Sequence, residues 1–152
     1  MRISSTLVRD LASHEVVTMA SGATLLECAQ AMRARHVGSV ILVDPDSLRP
    51  LGVVTDRDIV IEAVALGLDG STLTVGDIAV RPVVAVEEHE DVVEAMARMR
   101  ECGVRRLPVT GANGHITGIL ALDDVIAALA EQADAVVRVI AAERAKETVT
   151  RR

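Results

Sequence analysis

Val8-Arg9-Asp10-Leu11-Ala12 returns 67 residues later as Val75-Gly76-Asp77-Ile78-Ala79, and the residues after each copy return with it. Val16-Val17 falls on Val83-Val84. Glu27, Met32, Arg33 and Val37 fall on Glu94, Met99, Arg100 and Val104. After a loop one residue shorter in the second half, Gly52-Val53-Val54 falls on Gly118-Ile119-Leu120, and Asp58 falls on Asp124. A match that runs through nearly the whole of each half marks an internal duplication, and a duplication is settled before any local reading.

Local rules read each unit the same way. Val16-Val17 is a short apolar pair of strand type. Thr24-Leu25-Leu26-Glu27 and Asp91-Val92-Val93-Glu94 have the capping-box form, in which the first side chain and the Glu satisfy each other's free amides. Leu25, Cys28, Ala29 and Met32 then recur at helical spacing, as do Val92, Ala95, Met96 and Met99. The helices end near His36 and Gly103. Two strands come next: Ser39–Val43 and Leu51–Thr55 in the first half, Arg106–Val109 and Ile116–Leu120 in the second. The loops between them, Asp44-Pro45-Asp46-Ser47 and Gly111-Ala112-Asn113-Gly114, carry turn chemistry. A second helix starts near Asp56 and stops before Gly67; its counterpart starts near Leu122. The expected fold is therefore α+β, with two strand-helix-strand-strand-helix repeats. Residues 7–66 form repeat 1, 67–74 a linker, 75–130 repeat 2 and 131–152 a C-terminal helical tail. Some 60 residues bury too little apolar surface to stand alone. Two units packed sheet to sheet about a pseudo-two-fold axis, sharing one core, are the expected solution.

Composition narrows the function. The 152 residues carry 16 Lys+Arg against 22 Asp+Glu, a net charge of -6, and contain no Phe, Tyr or Trp. No aromatic platform exists on which a single-stranded nucleic acid could stack, and no basic stripe tracks a duplex. Lys146 is the only lysine, which excludes a Schiff base or a phosphate-loop lysine. Cys28 and Cys102 make neither a disulfide framework nor a four-thiolate site; they read as two reduced core thiols. The start of the chain lacks the apolar run of a signal peptide, and no apolar stretch is long enough for a membrane span. A cytoplasmic protein without membrane or nucleic-acid partners is expected. No pair of histidines has the i, i+4 spacing of a helical metal site, and no nucleophile-elbow motif is present. Catalysis has no support in the sequence.

Three stretches together carry a resemblance to a known family: Gly52-Val53-Val54-Thr55-Asp56-Arg57-Asp58, Val104-Arg105-Arg106-Leu107-Pro108-Val109, and the lead-ins Val8-x-Asp10-Leu11 and Val75-x-Asp77-Ile78. Over about residues 7 to 130 the chain resembles a tandem pair of CBS domains, and Thr55–Val60 is typical of the small stand-alone bacterial type. The resemblance implies a non-enzymatic regulatory module, with an adenine nucleotide of the AMP, ADP or ATP kind in the cleft between repeats. It also implies a homodimer, and no resident cofactor beyond that regulatory ligand.

The chemistry of the matched residues agrees with this. Thr55 and Asp58 lie where a strand turns into a helix, whose free amides and partial positive charge suit a phosphate. The Thr55 hydroxyl can donate to phosphate or ribose. Asp58 offers two acceptor oxygens to a cis-diol such as that of ribose. Arg57 offers a fork of donors to phosphate. The plain structural reading of the cluster is helix capping by Thr55 and Asp56. By the resemblance, Arg105 or Arg106 lines the cleft and reaches phosphate. The two point to opposite faces if both lie in a strand, so one of them is expected inward. Val17 and Val84 are expected to flank the base. The second half differs: Ala121, Asp123 and Asp124 replace Thr55, Arg57 and Asp58. A hydroxyl is lost and a second anion added, which disfavours phosphate there; Asp124 keeps a diol acceptor or a cap.

From Leu122 to Arg152 there is neither Gly nor Pro, and Val125, Leu129, Val136, Val139 and Ile140 form an interrupted apolar stripe. A break or bend is expected at Gln132-Ala133. Two other function classes stay open on the residues alone: a nucleotide-free scaffold for dimerisation or an unknown protein partner, and a metal- or redox-responsive protein using His and Cys.

Overall fold

The computed structural model describes residues 6–79 and 82–150. Its first half runs α1 (Val8–Leu11), β1 (Thr18–Met19), α2 (Leu25–Arg35), β2 (Ser39–Val43), β3 (Pro50–Thr55) and α3 (Asp56–Ile59). A π-helical turn over Val60–Val64 continues α3. The second half repeats the order: α4 (Val75–Ile78), β4 (Val86–Glu87), α5 (Val92–Cys102), β5 (Arg106–Thr110), β6 (Ile116–Ala121) and α6 (Leu122–Thr150). The α+β architecture with two like repeats is therefore the one expected. Each half holds a three-stranded sheet in chain order. Its first two strands pair parallel, and its last two antiparallel. Ser39 faces Thr55 in the first sheet, and Arg106 faces Ala121 in the second.

Local chemistry sets the boundaries. Thr24 accepts from the Glu27 amide at 3.2 Å, while the Glu27 carboxylate accepts from the Thr24 amide at 2.7 Å. Those bonds hold the Glu27 carboxyl below its ordinary value. Asp91 caps α5 differently, accepting from the Val93 amide at 2.7 Å. Both helices stop on a left-handed residue, His36 at φ 54° and Gly103 at φ 65°. The short parallel strands lie later than expected, at Thr18–Met19 and Val86–Glu87 instead of at the paired valines. Val17 only offers its carbonyl to the Ile41 amide, at 3.0 Å. The anticipated break at Gln132-Ala133 is also absent. Helix α6 runs through it, because a stretch rich in Ala and free of Gly and Pro has nothing to interrupt the ladder.

The larger departure is in the core. The halves do not share one; there are two clusters, and each borrows a helix from the other half. Val8, with Leu11 and Ala12, packs among Val86, Val92, Met99, Leu107 and Leu120. Val75 packs among Leu25, Cys28, Val40, Leu42 and Val54. The backbone fixes the exchange. The Val8 and Arg9 amides donate to the carbonyls of Glu90 and Glu88, and the Val92 amide to Thr6. On the other side, the Val75 and Gly76 amides donate to Ala23 and Ser21, and the Leu25 amide to Leu73. Asp10 and Asp77 cap the lead-in helices, accepting from the Leu7 and Thr74 amides at 3.0 and 2.8 Å. Residues 7–66 and 75–130 are thus repeats of sequence, while each core is assembled from both.

The chain leaving α1 also bridges to β6, where the Ser13 and Ile119 amides each donate to the other residue's carbonyl at 2.9 Å. Gly118 sits under this crossing. A Cβ there would meet the Ser13 carbonyl oxygen at 2.8 Å, too close for any backbone. Gly118→Ala is expected to cost about 1–3 kcal/mol, the usual range for overpacking, and to lower the melting temperature. Gly22→Ala, whose Cβ meets nothing within 4 Å, should leave the melt nearly unchanged. Equal melting curves for the two variants would show that the crossing is not tight.

Candidate functional site

A cavity of about 600 Å³ opens where β3 passes into α3. One wall is Val53, Thr55, Asp56, Arg57 and Asp58. The opposite wall comes from the second half: Pro82, Val83 and Val84 before β4, Cys102 and Gly103 at the end of α5, and Val104 to Pro108 leading into β5. Six of the eight expected site residues meet here: Thr55, Arg57, Asp58, Val84, Arg105 and Arg106.

Val17 and Asp124 do not line this cavity. Val17 packs on the first core. Asp124 lies at the start of α6, where it accepts from the Ala121 amide at 3.0 Å. Both belong to the counterpart position, which the duplication builds from Val17, Gly38, Ser39, Ala121, Asp123 and Asp124. Val17 and Val84 therefore lie in different corners, and Arg105 and Arg106 correspond to Gly38 and Ser39. The counterpart lacks Thr55's hydroxyl and the three arginines that line the first cavity.

Both Arg105 and Arg106 line the cavity, although strand alternation predicts only one. The reason is local: β5 begins at Arg106, so Arg105 still belongs to the preceding turn. Arg105 is exposed and Arg106 half-buried. A Cβ on Gly38 would lie 3.3 Å from Asp56 Oδ2 and 3.8 Å from Arg106 Nη2, so Gly38 leaves room for the Arg106 guanidinium beside Asp56. Three guanidiniums and two carboxylates give the cavity a net positive charge against a net negative protein.

Thr55 and Asp58 hold each other. The Thr55 amide and hydroxyl donate to Asp58 Oδ2 at 2.8 and 2.7 Å, and the Asp58 amide donates to Thr55 Oγ1 at 3.2 Å. Asp56 caps only its neighbour, accepting from the Arg57 amide at 2.8 Å. The capping reading of the cluster is therefore realised, through Asp58 more than through Asp56. Among the described residues Asp58 Oδ1 has no hydrogen bond, and it remains as an acceptor for a ligand hydroxyl. The apolar part of the lining is Val53, Val83, Val84 and Pro108.

Sequence reasoning missed Val53, Pro82, Val83, Cys102 and Gly103 as lining residues. Val53 had a signal, since it lies two residues before Thr55 on one strand face. Cys102 had none: it read as a core thiol, whereas it is exposed, and only Cys28 is buried. Burial pushes the Cys28 thiol up to about 11. Among the described residues no three His, Cys, Asp or Glu side chains are grouped to hold a metal ion, and no helix is long and apolar enough to cross a membrane.

A family model described as CBS domain matches residues 8–64 and again 75–131. Hypoxic response protein 1 of Mycobacterium tuberculosis is 36% identical over 129 residues, which cover 84% of this chain and 88% of that protein. An uncharacterised protein of Methanopyrus kandleri is 36% identical over 122 residues; the match covers 80% of this chain but only 62% of that relative's length. The crystal structure of hypoxic response protein I with two coordinated zinc ions superposes with a TM-score of 0.70 at 34% identity, covering 80% of this chain and 97% of that one. A CBS domain protein from Pyrobaculum aerophilum complexed with AMP superposes with a TM-score of 0.71 at 31% identity, covering 78% and 89%.

The two thiols provide a probe of this geometry. The thiolate is the nucleophile, so a buried thiol with a raised pKa stays inert. At about pH 8 a maleimide should label the folded chain once, at Cys102, and the denatured chain twice. Equal labelling of Cys28 in the folded chain would mean that the first core is open.

Proposed function

Because the chain belongs to the CBS domain family, we propose that it is a non-enzymatic, cytoplasmic regulatory module that binds an adenine nucleotide in the cavity between Thr55–Asp58 and Val84, Arg105 and Arg106. The observation that carries this reading is the cavity itself. It combines a diol acceptor, three guanidiniums and an aliphatic slot at the one switch between strand and helix where the hydroxyl is kept. The AMP complex of the Pyrobaculum relative supports the ligand class.

In this reading Asp58 Oδ1 accepts from the ribose hydroxyls. Arg57, with Arg105 or Arg106, binds phosphate through charge-assisted bonds. Val53, Val83 and Val84 grip the base, since the chain has no aromatic residue to stack on it. Binding shifts the populations of two arrangements of the halves, which a partner surface reads. The module acts as a homodimer, a reading supported by exposed apolar residues on its helices, among them Val60, Val64, Ile126 and Leu129.

One observation favours a second reading. Thr55 and Asp58 already satisfy each other, so the cluster also fits a nucleotide-free scaffold whose helix cap is purely structural.

A melting panel of AMP, ADP, ATP, NAD and S-adenosylmethionine separates the two readings. A ligand at a hundred times its dissociation constant stabilises the native state by about 2.7 kcal/mol. It should also slow alkylation of Cys102. Flat melts across the panel at millimolar ligand would leave the scaffold.

The two halves should differ in affinity. A lost hydrogen bond to a charged group costs about 1.5–3 kcal/mol, and a like charge adds to that. Calorimetry should therefore show the Thr55–Asp58 site filling at least about tenfold more tightly than the Asp124 side. Asp58→Ala should remove most binding and Asp124→Ala little. Two equal sites, or damage from Asp124→Ala alone, would reverse the assignment.

A further inference from the structure

Helix α6 is anchored only at its start. Val125 is buried in the second core, and Ala128 and Gln132 are half-buried. Beyond them every described residue from Ala133 to Lys146 is exposed. Beside the anchored face runs an apolar seam of alternating three- and four-residue steps: Ile126, Leu129, Ala133, Val136 and Ile140. Four of these are large, with 55, 47, 61 and 45% of their surface exposed in the order Ile126, Leu129, Val136, Ile140. That spacing is the seam of a two-stranded coil, whose a and d positions seek a partner helix. Val137 and Val139, 60 and 69% exposed, widen it.

The charges of the helix say what the partner is and how it lies. The stretch 122–134 carries Asp123, Asp124, Glu131 and Asp134 and no Lys or Arg, while every cation of the described helix (Arg138, Arg144 and Lys146) comes after it, together with Glu143 and Glu147; Arg138 also bonds Asp134 of its own helix at 2.7 Å. Two copies side by side in the same direction would set acid against acid. Two copies running in opposite directions set the acidic part of each against the part of the other that holds its cations. The same arrangement fits the middle of the seam, with Ile126 at its outer end lying opposite Glu143. With the two-fold axis between Asp134 and Ala135, Leu129 packs on Ile140 of the second copy, and Ala133 packs on Val136, large against small. Asp123 and Arg144, both flanking the seam, then come together at each end.

We propose that the exposed seam of α6 is the interface between two copies of this chain, paired antiparallel. The proposal rests on the homodimer reading above and places that contact on the tail.

The experiment is sedimentation of the full chain, combined with disulfide mapping. The wild type should sediment as a dimer at tens of micromolar. Val136→Glu, at an exposed position that the fold does not need, should give a folded monomer with an unchanged circular dichroism spectrum. The double variant Leu129→Cys/Ile140→Cys should form a covalent dimer on mild oxidation, with the linkage mapped between positions 129 and 140. Neither single variant should, because the two copies of residue 140 lie roughly 16 Å apart along an antiparallel pair, beyond disulfide reach.

A monomeric wild type would overturn both the dimer and its placement. A dimer that survives Val136→Glu would overturn the placement alone and return the contact to the body of the module. A disulfide mapped between the two copies of residue 140 in Ile140→Cys would overturn the antiparallel order.

Discussion

The structure depends on the exchange of its two lead-in helices. Val8 sits with no exposed surface in the second core, and Val75 does the same in the first. Each stands at the head of a four-residue helix that could not persist alone, since a first helical turn is costly to nucleate. Each is held by backbone bonds to the opposite half and capped by its own aspartate, Asp10 or Asp77. Neither core is complete without the other half of the chain. The cavity inherits this coupling, because one wall lies just after β3 and the other leads into β5, so it exists only where the two halves are packed together.

Duplication then supplies two equivalent corners, and substitution makes them unlike. The corner with Thr55, Arg57 and Asp58 faces Arg105 and Arg106. The other has Ala121, Asp123 and Asp124 with Gly38 and Ser39. The scaffold is nearly the same in both; the strands pair in the same register and both carry an irregularity at the corresponding step, Leu42/Val43 and Val109/Thr110. What differs is charge. One corner concentrates cations in an acidic protein, which gives it a positive local potential that its twin lacks.

Much of this is legible in the amino-acid sequence. The repeat, the helix boundaries at Thr24, His36, Asp91 and Gly103, and the four longer strands all carry strong local signals, because caps and left-handed stops act within a few residues. The two-residue strands escape such a reading because so short a segment has no periodicity; only the parallel partner decides which residues count. The exchange is illegible for a deeper reason. A duplicated sequence shows which residues are alike, but either docking of a lead-in buries the same valine, and the pattern is blind to which copy receives it. Cys102 and Arg105 stand at element ends, where helical and strand periodicity cease to say which way a side chain faces. The run through Gln132-Ala133 is hidden because an apolar stripe reports packing, whereas Ala-rich backbone stays helical without it.

The crossed lead-ins also set an order of assembly. The first core has all its residues once the chain has grown to about Ala79, for its borrowed helix arrives last and close by. The second core is in the opposite position. Its borrowed segment, residues 6–12, is made first and must wait until β6 and the start of α6 exist, more than a hundred residues later. Closing so distant a contact is slow compared with closing a local one. During synthesis the apolar side of residues 6–12 therefore stays unpaired until the rest of the second core has been made.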